Sequence, residues 1–154
     1  MLCLPTPLNL KLEPELKYIN NTFKLVKRYL KKNLLICLES TSYPGTTYET
    51  IIKKIPKKFK LGEDIFVCYS PERNDPGLKK INLNSIPKIV SGYSNKCKRL
   101  GKKFYNSIFN KIIEVESIEI AEMTKIYENI FRAVNIGFVN EMKKICLNFK
   151  IDIN

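Results

Sequence analysis

NLLICLESTSYPGTTYE, residues 33–49, decides the fold. Its apolar run from Leu34 to Leu38 is unbroken, short and without alternation. Such a run reads as a parallel strand covered on both faces. Asn33 breaks the segment before it. Pro44-Gly45 fits the two central positions of a type II turn, the second of which needs a positive φ. Thr46 and Glu49 have the spacing of a capping box, which predicts a new helix at Thr46. Strand, polar turn and helix in that order make the first half of a βαβ unit.

The same grammar extends outward in both directions. MLCLP, residues 1–5, reads as a strand or its tail. Pro14 suits the first turn of a helix. Leu16, Ile19, Phe23, Val26 and Leu30 then form a stripe at helical spacing to about Lys32. Downstream, Gly62 ends the second helical region, and DIFVCYS (64–70) reads as a strand. SPERNDPG (70–77) is a loop with another turn at Pro76-Gly77. PKIVSG (87–92) is a strand, Asn95 to Ile108 a helix, and KIIEV (111–115) a short strand. Alternating strands and helices predict an α/β layer with a parallel sheet.

From Ser117, a plausible N-cap, only Gly137 interrupts a helical pattern that runs to about Phe149. Glu119 and Glu122 in its first turn oppose the helix dipole. Roughly 33 residues at about 1.5 Å each give about 50 Å, longer than a small domain is wide. A helix of that length bridges two domains or packs on a partner subunit.

Composition narrows the function classes. A chain of 154 residues holds one domain or parts of two. Its net charge of +12 points to an anionic partner. The charge is mostly lysine, with arginine at Arg28, Arg73, Arg99 and Arg132. Readers of nucleic acid favour arginine forks and stacking aromatics, so no nucleic-acid partner is expected. Abundant Ile and Asn beside Lys also fit plain compositional drift. No run approaches the roughly 18 apolar residues of a membrane span, and MLCLPTPLNL lacks the pattern of a signal peptide. A cytoplasmic protein without a membrane partner is the expectation. Five cysteines, an odd number, include no CxxC pair, and there is no histidine. Cys3, Cys37 and Cys68 sit in apolar runs and read as buried small hydrophobes in a reducing compartment. No zinc or other metal site is expected.

Three polar clusters follow three strand candidates. LCL leads to Thr6 between two prolines, ICLE to Ser40-Thr41, and VCY to Ser70-Pro71-Glu72-Arg73. Carboxyl ends of parallel strands are where open α/β sheets bind ligands. Each cluster also has a plain reading: a strand stop, local turn chemistry, a surface ion pair. On the long helix, with Lys125 set at zero, Asn129 falls near +40°, Arg132 near −20° and Asn140 near +60°. That is a narrow polar stripe, with Ile126, Ile130, Ala133 and Val134 on the other sides of a helix expected to be largely buried. A solvated face would explain it too, although asparagine is a poor helix former. An ammonium, an amide and a guanidinium together suit a developing oxyanion, a sugar hydroxyl or a phosphate.

STSYPGTT (40–47), SPERNDPG (70–77) and AEMTKIYENIFRAVNIGFVNE (121–141) together resemble the UDP-glucose/GDP-mannose dehydrogenase family, in the family's order and rough spacing. SPER…DPG and ENIFRAVNI are most similar to the branch that acts on UDP-N-acetylhexosamines, with UDP-N-acetylglucosamine the substrate expected. The resemblance covers nearly the whole chain. It implies the second half of a Rossmann-like NAD-binding domain over residues 1–116, then over 117–154 the central helix and the start of a further domain. It implies NAD-dependent oxidation of the sugar C6 alcohol to a carboxylate in two steps, with a cysteine carrying a thiohemiacetal and then a thioester. Such a product is a polysaccharide precursor. By the same resemblance, Thr6 and Thr41 lie along NAD, and Glu72 is associated with the late hydrolytic step. Arg73, Asn74 and Arg132 are substrate contacts. Lys125 and Asn129 stabilise the oxyanion at C6 and touch substrate. The long helix forms a homodimer interface.

Two departures accompany the resemblance. No GxGxxG occurs anywhere in the sequence, and no cysteine has the Gly-rich neighbourhood of the family's nucleophile. Cys146 lies on the long helix and reads as core. The chain therefore resembles an internal piece of such an enzyme, inactive by itself. A non-catalytic dimerisation or binding remnant of the same fold is the rival reading.

Overall fold

The computed structural model describes residues 1–72 and 86–153. Among these, β1 (Leu34–Leu38), β2 (Ile65–Tyr69), β3 (Lys88–Gly92) and β4 (Ile112–Glu114) lie side by side in chain order in one sheet. The N-terminal segment extends the β1 edge. The Leu2 amide donates to the Cys37 carbonyl, and the Leu2 carbonyl accepts from Glu39. Among the described residues four α-helices accompany the strands: α1 (Lys17–Val26), α2 (Thr46–Thr50), α3 (Asn95–Tyr105) and α4 (Ile118–Asn148).

Strand periodicity divides the core into two layers. Ile36 and Leu38 of β1, with Ile65, Val67 and Tyr69 of β2 and Ile89 of β3, pack with Ile19 and Phe23 of α1 and with Ile118 and Ala121 at the start of α4. The intervening residues Cys37, Cys68 and Val90 face Tyr105 of α3. Every residue of β2 is buried, which is why its sequence is apolar throughout. The stripe predicted for the first helix holds, with Ile19 and Phe23 innermost.

The expectation of a purely parallel sheet is corrected at one joint. β1–β2 and β3–β4 are parallel, but β3 runs antiparallel to β2, with Cys68 opposite Gly92 and Tyr69 opposite Ser91. A strand buried on both faces reads as the same apolar run in either direction, so the pattern carries no sign of the reversal. The reversal has a consequence: the start of β3 lies at the edge where β1 and β2 end.

Other expectations shift locally. Pro14 does not open the first helix. Asn9 Oδ1 accepts the amides of Lys11 and Glu13 and folds that stretch into a turn, so helix begins only at Lys17. Gly45 takes φ +96° and ψ −13°, as a type II turn requires, and the Thr46 amide bonds the Tyr43 carbonyl. The capping box at Thr46 and Glu49 does not form. The N-cap of α2 is Gly45, the Thr46 hydroxyl bonds the Tyr43 carbonyl, and Glu49 accepts from the Tyr43 hydroxyl. Ser94 and Ser117 cap α3 and α4 through their side chains. Cys3 is exposed and Cys146 half-buried, whereas Cys37 and Cys68 are buried as expected.

The largest correction concerns α4. Of its 31 residues, Ile118, Ala121 and Glu122 are buried. Its apolar residues further on, such as Phe131, Val134, Phe138, Val139 and Ile145, are exposed. Apolar content marked a helix that needs covering, and among the described residues of this chain that cover is absent past its first turns, on a helix expected to meet a further domain or a partner subunit. No described helix is long and apolar enough to cross a membrane.

Gly92 admits α3 to the sheet. A Cβ there would stand 2.3 Å from the Lys98 amide nitrogen and 2.8 Å from the Cys97 carbonyl carbon, both backbone atoms. Gly92→Ala is expected to destabilise the fold by about 1–3 kcal/mol, the usual cost of forcing extra volume into packed structure. Urea unfolding measures it, and an unchanged midpoint would show that α3 shifts freely.

Candidate functional site

The crevice starts at the carboxyl ends of β1 and β2. The chain leaves β1 through Glu39, Ser40 and Thr41, and leaves β2 through Ser70, Pro71 and Glu72. The N-terminal segment is tied to this edge: the Leu4 amide donates to Ser40 Oγ at 2.8 Å, and Thr6 Oγ1 donates to the Thr41 carbonyl at 2.7 Å. Cys3, Leu4, Glu39, Ser40, Thr41 and Glu72 line one open crevice of about 410 Å³. Thr6 is half-buried beside it and Thr41 exposed. Arg73 and Asn74 lie outside the described residues.

Behind the crevice sits a charge cluster that sequence reasoning missed. Lys88 opens β3, and its side chain is 3% exposed. The antiparallel pairing, extended past Tyr69 and Ser91, sets Lys88 across from Glu72. Lys88 Nζ is 3.0 Å from Glu72 Oε2 and 3.5 Å from Glu39 Oε2. The rings of Tyr105 and Phe109 each lie with their centroids 5.3 Å from the same nitrogen. The Tyr105 hydroxyl donates to Glu39 Oε1. Burial, followed by the neighbouring Cys37 and the bond to Glu39, pushes the Tyr105 phenol far above its usual range, so it remains a donor. Burial and then Glu39 likewise raise the Cys3 thiol. The signal for this cluster was one charged residue bordering each of two apolar runs, Glu39 after the first and Lys88 before the second, which means little until the reversal of β3 is known.

A second buried acid ties α4 to the loop after β1. Glu122 is fully buried. Its Oε2 accepts the Gly45 amide at 2.6 Å; its Oε1 accepts the Thr47 amide at 2.8 Å and the Thr47 hydroxyl at 2.6 Å. Burial raises its pKa, and these three donors pull it part of the way back. The carboxylate thus does from α4 what the expected capping box would have done from within α2.

One turn beyond Glu122, Lys125 is half-buried. With Glu128, Phe131, Arg132, Asn135, Ile136 and Ile86 it lines a cleft of about 420 Å³. The structure thus brings Lys125 and Arg132 to one surface, with Glu128 and Asn135 between and beyond them. Asn129 and Asn140 are exposed and do not line that cleft. Sequence reasoning missed Glu128 and Asn135, whose helical spacing from Lys125 could have shown them.

Comparisons with known proteins bear on this geometry. The NAD-binding-domain model of the UDP-glucose/GDP-mannose dehydrogenase family matches residues 1–112, and the family's central-domain model matches residues 119–154. The chain is 34% identical over 155 residues to a UDP-N-acetyl-D-glucosamine 6-dehydrogenase of Salmonella typhi, covering 99% of this chain and 36% of that protein. It is 33% identical over 156 residues to a UDP-N-acetyl-D-mannosamine dehydrogenase of Methanocaldococcus jannaschii, covering 99% of this chain and 35% of that one. Among solved structures, the UDP-D-ManNAc dehydrogenase of Pyrococcus horikoshii superposes with a TM-score of 0.85 at 31% identity, over 96% of this chain and 35% of that one. A GDP-mannose dehydrogenase from Pseudomonas aeruginosa, at TM-score 0.86, 23% identity and coverage of 97% and 36%, shares the fold. The chain spans little more than a third of the length of the curated relatives it matches.

Proposed function

The chain belongs to the UDP-glucose/GDP-mannose dehydrogenase family, and on that premise we propose that it is the segment of an NAD-dependent UDP-sugar 6-dehydrogenase that carries the sheet-edge crevice and the oxyanion-binding helix. UDP-N-acetylglucosamine is the proposed substrate, oxidised at C6 to a carboxylate. Relatives named for the glucosamine and the mannosamine sugar match almost equally well, so the assay must compare the two. The observation that carries the reading is the shared crevice of Thr41 and Glu72, with Thr6 bonded to its rim.

In this reading residues 1–116 complete an NAD-binding domain and 117–154 begin the central one. The rim hydroxyls of Thr6 and Thr41 fit a ribose or carboxamide edge of NAD. The glycine-rich cradle for its pyrophosphate has no counterpart in this sequence. NAD, when bound, accepts the hydride. Glu72 holds or deprotonates the hydrolytic water, Arg73, Asn74 and Arg132 bind the UDP-sugar, and Lys125 and Asn129 bind the C6 oxygen. The exposed apolar flank of α4, including Tyr127, Ile130 and Phe138, is the surface proposed to meet a second copy.

The experiment is NADH formation by the complete coding region's product with the two N-acetylhexosamine nucleotides and UDP-glucose in parallel. Two NADH per sugar oxidised are expected, with UDP-N-acetylglucosamine favoured. The 154-residue chain by itself is expected to form none, because its sequence lacks both the glycine fingerprint and a cysteine in a Gly-rich segment. Turnover by the purified chain would overturn that expectation. A complete protein that reduces no NAD with any of these sugars would overturn the reading itself and favour the non-catalytic remnant.

A further inference from the structure

We infer that Lys88 is a positioning residue for Glu72, holding this carboxylate at the crevice from behind the sheet edge. The inference rests on the dehydrogenase reading above. Its geometric basis stands apart from that reading.

A buried ammonium is costly unless paired, and Lys88 opens a strand whose next two residues are Ile89 and Val90. Three elements converge on its nitrogen. Glu39 approaches from the end of β1, and Glu72 from beyond β2. Tyr105, at the end of α3, and Phe109, just past it, present their rings. Glu39 is itself fixed, since its other oxygen takes the Tyr105 hydroxyl and its amide bonds the Leu2 carbonyl. The ammonium is therefore anchored on its buried side by groups with little freedom. Its contact with Glu72 faces outward, because the Glu72 side chain is 53% exposed while the Glu39 side chain is 10% exposed. An exposed glutamate has several rotamers, and a fixed charge at 3.0 Å selects among them.

The chemistry makes that selection matter. In hydrolysis of a thioester, the water oxygen bonds to the acyl carbon. A water proton passes to the Glu72 carboxylate, and the carbon–sulfur bond breaks with its electron pair leaving on sulfur. A base held in place gains rate from orientation as well as basicity. Lys88 touches neither water nor sugar in this account and acts through Glu72.

The test uses the complete enzyme and a cycle of variants. Lys88→Met together with Glu39→Gln removes both buried charges, so no unpaired ion remains in the interior. Steady-state turnover of this pair is expected to fall about tenfold or more, a part of the roughly 10²–10⁴ that the general base itself contributes. First-turnover NADH formation should fall far less than steady-state turnover, and an acyl-enzyme should accumulate that mass spectrometry detects. In a Glu72→Gln background the same pair should cost little further rate, because its effect runs through the missing carboxylate. Full additivity of the two losses, or wild-type turnover by a folded Lys88→Met/Glu39→Gln enzyme, would overturn the inference while leaving the dehydrogenase reading intact. An inactive wild-type enzyme would overturn both. Should the methionine pair fail to fold, Lys88→Gln with Glu39→Gln keeps a hydrogen bond between the two positions and reads the same cycle.

Discussion

Glu122→Ala is expected to destabilise the fold by about 3–5 kcal/mol, the range found when one partner is removed from a buried charged contact. The side chain it removes is fully buried and accepts three donors, the Gly45 amide and the Thr47 amide and hydroxyl. Each donor left without a partner costs about 1–3 kcal/mol where water cannot reach it. Domains of ordinary stability have about 5–15 kcal/mol in total, so the loss should move the urea midpoint by a large fraction of its value. Glu122→Gln should fall between, since the amide oxygen can keep the Thr47 donors while its NH₂ confronts the Gly45 amide. The pH dependence separates charge from shape. Because burial raises the Glu122 pKa in the folded state, the folded chain binds more protons there than the unfolded chain. This contribution is fully present below the ordinary glutamate value and is lost as pH rises through the raised one. The difference in stability between wild type and Glu122→Gln should therefore shrink across that window as pH increases. An alanine variant unfolding at the wild-type midpoint would mean that water replaces the carboxylate at no cost.

Glu122 also marks where the sequence stopped being legible. The run at 34–38, the turn at Pro44-Gly45, and the serine cap before α4 are local matters, and local pattern named them. The capping box at Thr46 was a local signal as well, but a residue 75 positions away supplies the acceptor instead. Spacing rules cannot weigh a distant acid against a near one. The reversal of β3 was hidden for a different reason. Burial on both faces erases the alternation that distinguishes faces, and direction was never encoded in it. Lys88 and Glu39 remained unremarkable letters until that reversal put them within reach of Glu72. The rim threonines were legible because α/β sheets bind ligands at carboxyl ends whatever the sequence there. For α4 the pattern gave the helix and its cap, and within this chain its apolar residues past the first turns stay exposed, on a helix expected to bridge two domains or pack on a partner subunit.

Lys125→Ala in the complete enzyme is expected to lower turnover by about 10²–10³, the usual loss when one donor to an oxyanion is removed. Lys125 stands one turn after Glu122, so the bonds that fix Glu122 to the Gly45–Thr47 loop also fix the rotation of α4 that presents Lys125. Lys125, half-buried as a residue, lines the cleft shared with Arg132. If an alkoxide develops at C6 as the intermediate forms and breaks down, a compact charge beside it acts mainly in the transition state. Loss of that charge should then appear in turnover more than in UDP-sugar affinity. Asn129→Ala should have the same signature more weakly, since it removes a neutral donor from the next turn. Steady-state kinetics and direct binding on both variants decide the matter, with Glu122→Gln as the comparison that disturbs the helix without touching either donor. If Lys125→Ala turns over normally and only melts earlier, the lysine serves the fold, and the polar stripe on α4 is a solvated face.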